Sequence, residues 1–389
     1  MSDGPDGLTI RGATEADREE LLAFLSTQMG AEREYFDAAF RYRPGALWEH
    51  SRVGVVDGRI ACHIRLYPRE MRLAGGTVRT ANIGDVCTDP AHRHKGFGGA
   101  LLRDGLAYMA AHGIPMSIIH SGVTGFYASG GWETFPQRGY SFAPRRPLLR
   151  VPGIEVRRMR RHADLDAVAR VHGAHSAGRS LAVVRDESYW RTHFSWVGDD
   201  EREFLVAEDD GGVVGYVRSY RGAVHEIAYL PERPRAADAL LEAVVRRRSK
   251  RAEGRVEIAL DAPTDLPSLA GLRDAGVLVE KVRWHMLVRS VSLKALLEAV
   301  APGLHPPRDE RRVALRSGNE AAAVVFDGDE ARVDPDDGAD AVEVTQRDLF
   351  LWLTGEAPLG ASGGAAGAWA LLREMVRSGA PHFWMIDHV

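Results

Sequence analysis

The chain has 389 residues, 45% of them hydrophobic and 27% charged, with a formal net charge of −4. That length exceeds what one hydrophobic core organises and predicts two or three domains, and the slight negative charge argues against a global basic field for nucleic acid. Two cysteines, Cys62 and Cys87, are too few for a disulfide framework or a zinc site. The opening MSDGPDGLTI has no apolar leader and no run of 18 apolar residues follows, so the expectation is a cytoplasmic, soluble protein with no membrane segment and no metal.

In chain order, Leu8 to Arg11 reads as a short strand. Thr14-Glu15-Ala16-Asp17 is a capping box opening a helix with Leu21, Leu22, Phe24 and Leu25 inward. A second helical segment carries Tyr35, Phe36, Ala39 and Phe40 up to Arg43-Pro44-Gly45. Val53, Val55, Ile60, Cys62 and Ile64 alternate around Asp57-Gly58, a hairpin signal. A third strand ends at Leu73, Gly75-Gly76 turns the chain, and Ala81 to Cys87 forms the next strand. Then comes the loop Arg93-His94-Lys95-Gly96-Phe97-Gly98-Gly99 and a helix to His112. A strand–loop–helix of this composition leaves unpaired backbone N–H groups at a positive helix end, a suitable seat for an anionic pyrophosphate. Met116 to His120 is a further strand, and Gly125 to Glu133 holds a short helix and a turn.

A dinucleotide-binding fold would put its glycine loop after the first strand, and a P-loop would need Gly-Lys-Ser/Thr; neither holds. Instead, Arg93-x-x-Gly96-x-Gly98 and the later Phe126-Tyr127-x-x-x-Gly131-Trp132-Glu133, in this order, resemble a GNAT acyltransferase over residues 8 to 145. The resemblance implies acetyl-CoA as co-substrate. Its pyrophosphate would lie on Arg93, His94, Lys95, Gly96, Phe97, Gly98 and Gly99, and its pantetheine arm would pair with the backbone of Val86, Cys87 and Thr88.

The middle third echoes the first. Ile154 to Arg157 and a helix over 164–172 repeat the opening strand and helix. Phe204 to Val217 repeats the hairpin, and Arg273 to Val277 stands where the first copy has Ala128 to Trp132. At the position of the phosphate loop stands Leu230-Pro231-Glu232-Arg233-Pro234-Arg235-Ala236-Ala237, without glycine and with two prolines that lack N–H donors. This copy is expected to keep the fold, lose the cofactor site and wall the substrate pocket. The run Arg246 to Arg251 reads as a solvated helix end.

After Val291, Ser292 caps a helix bearing Leu293, Leu296, Leu297 and Val300. Arg312 to Leu315 and Ala321 to Phe326 read as strands, with acidic turns at 327–329 and 334–337. A strand at Val342 leads to a helix capped near Thr345, Ala361 to Gly367 reads as a small-residue loop, and Trp369, Leu372 and Met375 form a helical face. A doubled GNAT unit followed by a module with Val344-Thr345-x-Arg347-Asp348-Leu349-x-x-Trp352-Leu353-Thr354-Gly355 resembles the Eis (enhanced intracellular survival) family. The resemblance implies an α/β (α+β) fold of tandem GNAT units with mixed antiparallel and parallel sheets flanked by helices. It divides the chain into a catalytic unit at 1–150, a degenerate second unit at 151–290 and a sterol carrier protein-like module at 291–389. It further implies a small-molecule amine acceptor of aminoglycoside, polyamine or lysine-like type and a homo-oligomer, a hexamer.

Acyl transfer from a thioester to an amine needs an acid for the leaving thiolate and a base for the ammonium. By the resemblance, Tyr127 is the acid and the C-terminal carboxylate of Val389 the base. Asp387, His388, His120 and water stay open as base alternatives, and Trp48, Glu32 and Asp37 are guesses for the pocket lining. The apolar tail from Pro381 to Val389 suits docking more than fraying. Cys87 lacks a His or Asn partner motif and reads as a core thiol. The competing function is a non-catalytic CoA- or lipid-binding protein.

Overall fold

The computed structural model describes the chain except residues 1, 4–6, 43–46, 194–203, 221–222, 252–255, 309, 357–364, 378, 385–386 and 388–389. The strands of the first half are β1 (Ser2–Asp3), β2 (Thr9–Gly12), β3 (Ser51–Val56), β4 (Arg59–Leu73), β5 (Gly76–Thr88), β6 (Met116–His120) and β7 (Glu133–Pro144). Those of the second are β8 (Glu155–Arg158), β9 (Phe204–Asp209), β10 (Gly212–Tyr220), β11 (Ala223–Tyr229), β12 (Ile258–Leu260) and β13 (Gly276–Ser290). A third region adds β14 (Arg312–Ser317), β15 (Glu320–Asp327), β16 (Glu330–Pro335) and β17 (Val342–Glu343). The helices are α1 (Arg18–Met29), α2 (Arg33–Tyr42), α3 (Phe97–Ala111), α4 (Thr124–Ala128), α5 (Arg161–Ser176) and α6 (Glu187–His193). They continue with α7 (Arg235–Arg251), α8 (Leu269–Ala275), α9 (Leu293–Val300), α10 (Gln346–Leu353) and α11 (Ala365–Met375).

Thirteen strands form one mixed sheet, in the order β1-β2-β3-β4-β5-β6-β13-β7-β12-β11-β10-β9-β8. The order is nearly symmetric about its centre because the halves trade their last strands. The C-terminal part of β13 lies between β6 and β7, pairing Met286 with His120 and with Phe135. The C-terminal part of β7 lies between β13 and β12, pairing Phe142 with Leu278 and with Ile258. Neither half closes its sheet without the other, and their separation in sequence is not a separation in hydrogen bonding.

Local sequence explains most of these elements. The Thr14 N–H and hydroxyl both donate to the Asp17 carboxylate, closing the anticipated capping box. Asp57 and Gly58, both at positive φ, make the two-residue turn between β3 and β4, which suits the right-handed strand twist. Two expectations need correction. The second and third predicted strands are one continuous β4, and its turn into β5 falls on Ala74-Gly75, because the ladder closes at Leu73 opposite Gly76. Ala74 is held at φ 49° there, its N–H donating to Ser180 Oγ at 3.0 Å.

The third region is a four-stranded sheet, ordered β16-β15-β14-β17, with α9, α10 and α11. Its β16 was hidden between two acidic turns, since an edge strand exposes polar residues and shows no hydrophobic run. The predicted small-residue loop also ends earlier, because Ala365 to Gly367 belong to α11. Ser292 and Thr345 cap α9 and α10 as anticipated, each side chain accepting from the N–H three residues on. The two motifs quoted above also meet. The Glu133 carboxylate accepts the N–H groups of Gln346 and Arg347, and Arg347 donates to both the carbonyl and the hydroxyl of Thr134. A shared core of Met71, Val78, Met116, Met286, Leu296, Phe350 and Trp352 joins this region to the underside of the first half.

Candidate active site

The glycine loop stands at the N-terminus of α3. Gly96, at φ 80°, is its N-cap, and His94 also sits at positive φ, so the chain folds back on itself before the helix starts. The first N–H beyond the loop to find a backbone acceptor is that of Ala100, bonded to Gly96 O at 3.0 Å. Among the described residues, the N–H groups from His94 to Gly99 are not taken by main-chain carbonyls. Arg93, His94 and Lys95 are exposed and pair with no described carboxylate, and Arg93 Nε donates to Thr88 O. Gly98 touches the Phe126 ring so closely that a Cβ there would lie 2.9 Å from it. Phe97 is buried and anchors the turn by stacking on His92. The loop is a rigid, cationic set of donors that fits a pyrophosphate.

Beside it the central strands part. β5 and β6 are parallel neighbours from Thr80/Met116 to Ile83/Ile119 and no further. There β5 bulges: Arg65 on β4 faces Gly84, but His63 faces Cys87, so an extra residue is accommodated on β5. Asp85 takes the strained position at φ 49°, its carbonyl bonded to His63 Nδ1 at 2.8 Å and its carboxylate accepting from Tyr67 Oη at 2.7 Å. The half-buried Val86, Cys87 and Thr88 follow the bulge and lead from this opening to the glycine loop. Their backbone borders the gap between the parted strands.

Tyr127 lies on α4, one turn past the end of β6, with Phe126 at its edge and only 6% of its surface exposed. It belongs to the core cluster that holds Phe97, Leu101 and Trp132, so the glycine loop and the phenol share one packed unit. Burial pushes its pKa up, and the nearby Ser121 hydroxyl acts less strongly in the other direction. At neutral pH the phenol keeps its proton, as a donor must. Cys87 and Cys62 are free thiols, and burial is the main cause of raised pKa values at both, Cys62 up to about 12. Neither is a poised thiolate.

The opposite face of β4 and β5 was not anticipated. His63, Arg65, Tyr67 and Arg69 alternate along β4, while Cys62, Ile64 and Leu66 between them pack with α3. Arg65 is buried beneath the Phe40 ring, its guanidinium carbon 3.4 Å from the ring centre, and Phe40 in turn stacks on Trp48. Asn82, opposite Tyr67, is equally buried. Polar residues at every second position of a central strand buried on both faces were the available signal. Of the guessed lining residues, Trp48 is one ring away from Arg65, Glu32 is exposed, and Asp37 is tied to Arg18 and Arg41.

The described part of the tail is buried, as its composition suggested. Trp384 joins the second half's core, Phe383 stacks on His120 at 4.9 Å, and the His382 N–H donates to Ser180 O. Asp387 is only 1% exposed. Arg185 grips its carboxylate through Nε and Nη2 at 3.1 and 2.8 Å, Tyr189 Oη donates to it, and Arg69 of β4 donates to its carbonyl. Arg185 also bonds Glu226 of β11 at 2.7 Å, and Tyr216 and His172 complete the cluster. Burial alone would raise the Glu226 carboxyl, but Arg185 and His172 hold it well below the usual carboxylate range. Asp387 is thus consumed in an ion network. Val389 and His388 lie outside the described residues. His120, at the end of β6, is covered by Phe383.

Residues 9–135 match the model of the family described as acetyltransferase (GNAT) domain. Nearly the whole chain is similar to solved structures. A probable N-acyltransferase from Enterococcus faecalis V583 shares 17% identity, with 96% of this chain and 98% of that one covered and a TM-score of 0.75. A GCN5-related N-acetyltransferase from Kribbella flavida shares 19%, covering 96% and 97% at a TM-score of 0.74. Eis1 from Mycobacterium abscessus shares 17%, covering 97% and 99% at a TM-score of 0.66. At these identities the likeness establishes the fold. No curated protein matches the chain. The chain therefore carries a GNAT acetyltransferase domain in its first third. It is an acyltransferase.

Proposed function

We propose that the protein transfers an acetyl group from acetyl-CoA to an amine, by direct attack within a ternary complex. The observation that carries this reading is the convergence of three features: the free N–H groups of residues 94–99, the parting of β5 from β6 after Ile83, and Tyr127 packed between them. The loop would hold the pyrophosphate, and the backbone of Val86, Cys87 and Thr88 would guide the arm so that the thioester reaches the bulge. The amine nitrogen then bonds to the carbonyl carbon, the carbon–sulfur bond breaks, and Tyr127 protonates the departing thiolate. The amine's proton passes to a base. The Val389 carboxylate is our candidate, supported by the anchoring of Asp387, two residues from it, to both halves of the chain.

The same reading treats 1–150, 151–290 and 291–389 as successive units, supported by the near-symmetric strand order and the separate third sheet. A thiol-release assay with acetyl-CoA and a panel of amines tests it. Release that depends on the amine is expected; tight acetyl-CoA binding with no release for any amine would leave only a binding protein.

A further inference from the structure

On the face of β4 and β5 that α2 covers, five buried side-chain atoms have no partner among the described residues: His63 Nε2, both terminal nitrogens of Arg65, and both amide atoms of Asn82. Buried polar atoms are nearly always hydrogen-bonded, so a patch of five beside the bulge calls for a partner from outside the chain. Their owners are 0%, 2% and 1% exposed. Of the Arg65 guanidinium, only Nε is engaged, by Ser51 Oγ at 3.2 Å, with the Asp85 carboxylate 3.7 Å away. Phe40 covers its flat face, which leaves the in-plane edge with Nη1 and Nη2 for a partner. Phe40 is itself only half-buried.

We propose that Arg65 and Asn82 recognise a carboxylate on the acceptor, which makes the acceptor an amino-acid-like amine and not a polycation. The proposal rests on the acyltransferase reading above and deepens it. A guanidinium edge matches a carboxylate with two parallel hydrogen bonds, and the Asn82 amide supplies a further donor. The charged groups facing the patch agree. Asp85 already accepts from Tyr67, Arg69 is turned to the Asp387 carbonyl, and burial lowers His63 to about 4, leaving it neutral with its Nδ1–H on the Asp85 carbonyl and Nε2 as an acceptor. An unpaired guanidinium edge repels a polyamine and attracts an acid.

The test compares matched probes: lysine, its carboxamide and cadaverine, extended to other amino acids with their amides. Specificity, as kcat/KM by thiol release, is expected to fall at least about tenfold when the carboxylate is removed. Arg65→Gln should collapse that ratio, and Asn82→Ala should reduce it. Thermal melting and acetyl-CoA binding check that each variant is folded, with Arg65→Lys as a further variant that keeps the charge but loses the fork. Cadaverine acetylated as well as lysine, or a ratio untouched by Arg65→Gln, would overturn the proposal. Should no amine release CoA, the acyl-transfer reading fails by itself, and equilibrium binding of the same probes to CoA-loaded protein decides this one. Carboxylate-dependent binding lost in Arg65→Gln supports it, and equal or absent binding of all probes overturns it.

Discussion

The two halves of the large sheet share a scaffold and differ in what fills the gap between their parallel strands. In the first, β5 and β6 part after Ile83, and the loop beyond offers its N–H groups outward. In the second, β11 and β12 pair only at Ala223/Ala259 and Val224/Leu260. There the loop closes on itself: Arg233 donates to Leu230 O, Ala236 to Arg233 O and Ala237 to Pro234 O. The tail occupies the neighbourhood, with Trp384 packed in the core that contains Tyr229 and Ala262, His382 3.8 Å from Asp261, and Asp387 joined through Arg185 to Glu226. The first half thus leaves an opening where the second half anchors the chain's own end.

The largest expected effect of this difference is on acid stability. His63 lies in the first half, whereas His175 and His382 lie where the tail meets the second, and burial holds them at about 4, 3 and 3 against an ordinary 6.5. Between pH 6.5 and about 4 the unfolded chain binds protons that the folded chain refuses. Stability therefore rises with pH through that window and is lost on acidification, by up to about 1.4 kcal/mol per pH unit for each histidine. With two of the three at the tail junction, hydrogen exchange at pH 5 should show the second half and tail opening before β4 and β5. The reverse order would break the comparison.

Arg185→Met should come next. It leaves two buried carboxylates, Asp387 and Glu226, without their shared cation, and breaking such a pair costs about 3–5 kcal/mol. The first half's Arg52–Asp104 pair is only partly buried, and Arg52→Met should cost no more than about 1 kcal/mol. Thermal denaturation of both variants measures the contrast.

Much of this was legible in the sequence because it is local. Capping residues, the Asp57-Gly58 turn, the glycine loop and the missing glycines of its counterpart each act within a few residues. What escaped depends on pairing across distance. The strand exchange places β13 between β6 and β7, more than 140 residues apart along the chain, and no periodicity encodes that. The Arg65 patch escaped for another reason. The apolar alternation of β4 signals a hairpin, but nothing local shows that the polar residues between are buried as well, since the strand is covered on both sides. Asp387, a lone acid in an apolar tail, was weighed as a base when its partners, Arg185 and Tyr189, lie some 200 positions earlier.

Smaller effects test the opening itself. Tyr127→Phe keeps the ring in its packed site and removes the proton, so kcat should fall about a hundredfold or more, with the KM for acetyl-CoA little changed. A loss shared equally by both constants would point to packing. Gly98→Leu drives a side chain into Phe126 at the cradle, and the Kd for acetyl-CoA should rise at least about tenfold, equivalent to about 1.4 kcal/mol. Calorimetry reads it directly.

The smallest effect expected is for Pro234→Gly in the second half's loop. It restores an N–H donor next to α7 and relaxes the backbone, which should cost no more than about 1 kcal/mol of stability. If the missing donor were all that separates the two loops, this variant would acquire a second site for acetyl-CoA. The geometry gives a different answer. The N–H groups of Arg233, Ala236 and Ala237 would remain committed to the turn, and Trp384 would remain in the core beside β11. Calorimetric titration of Pro234→Gly should therefore still give one acetyl-CoA per chain. A stoichiometry of two would mean that the proline alone closed the second site, and that the tail lies beside it without filling it.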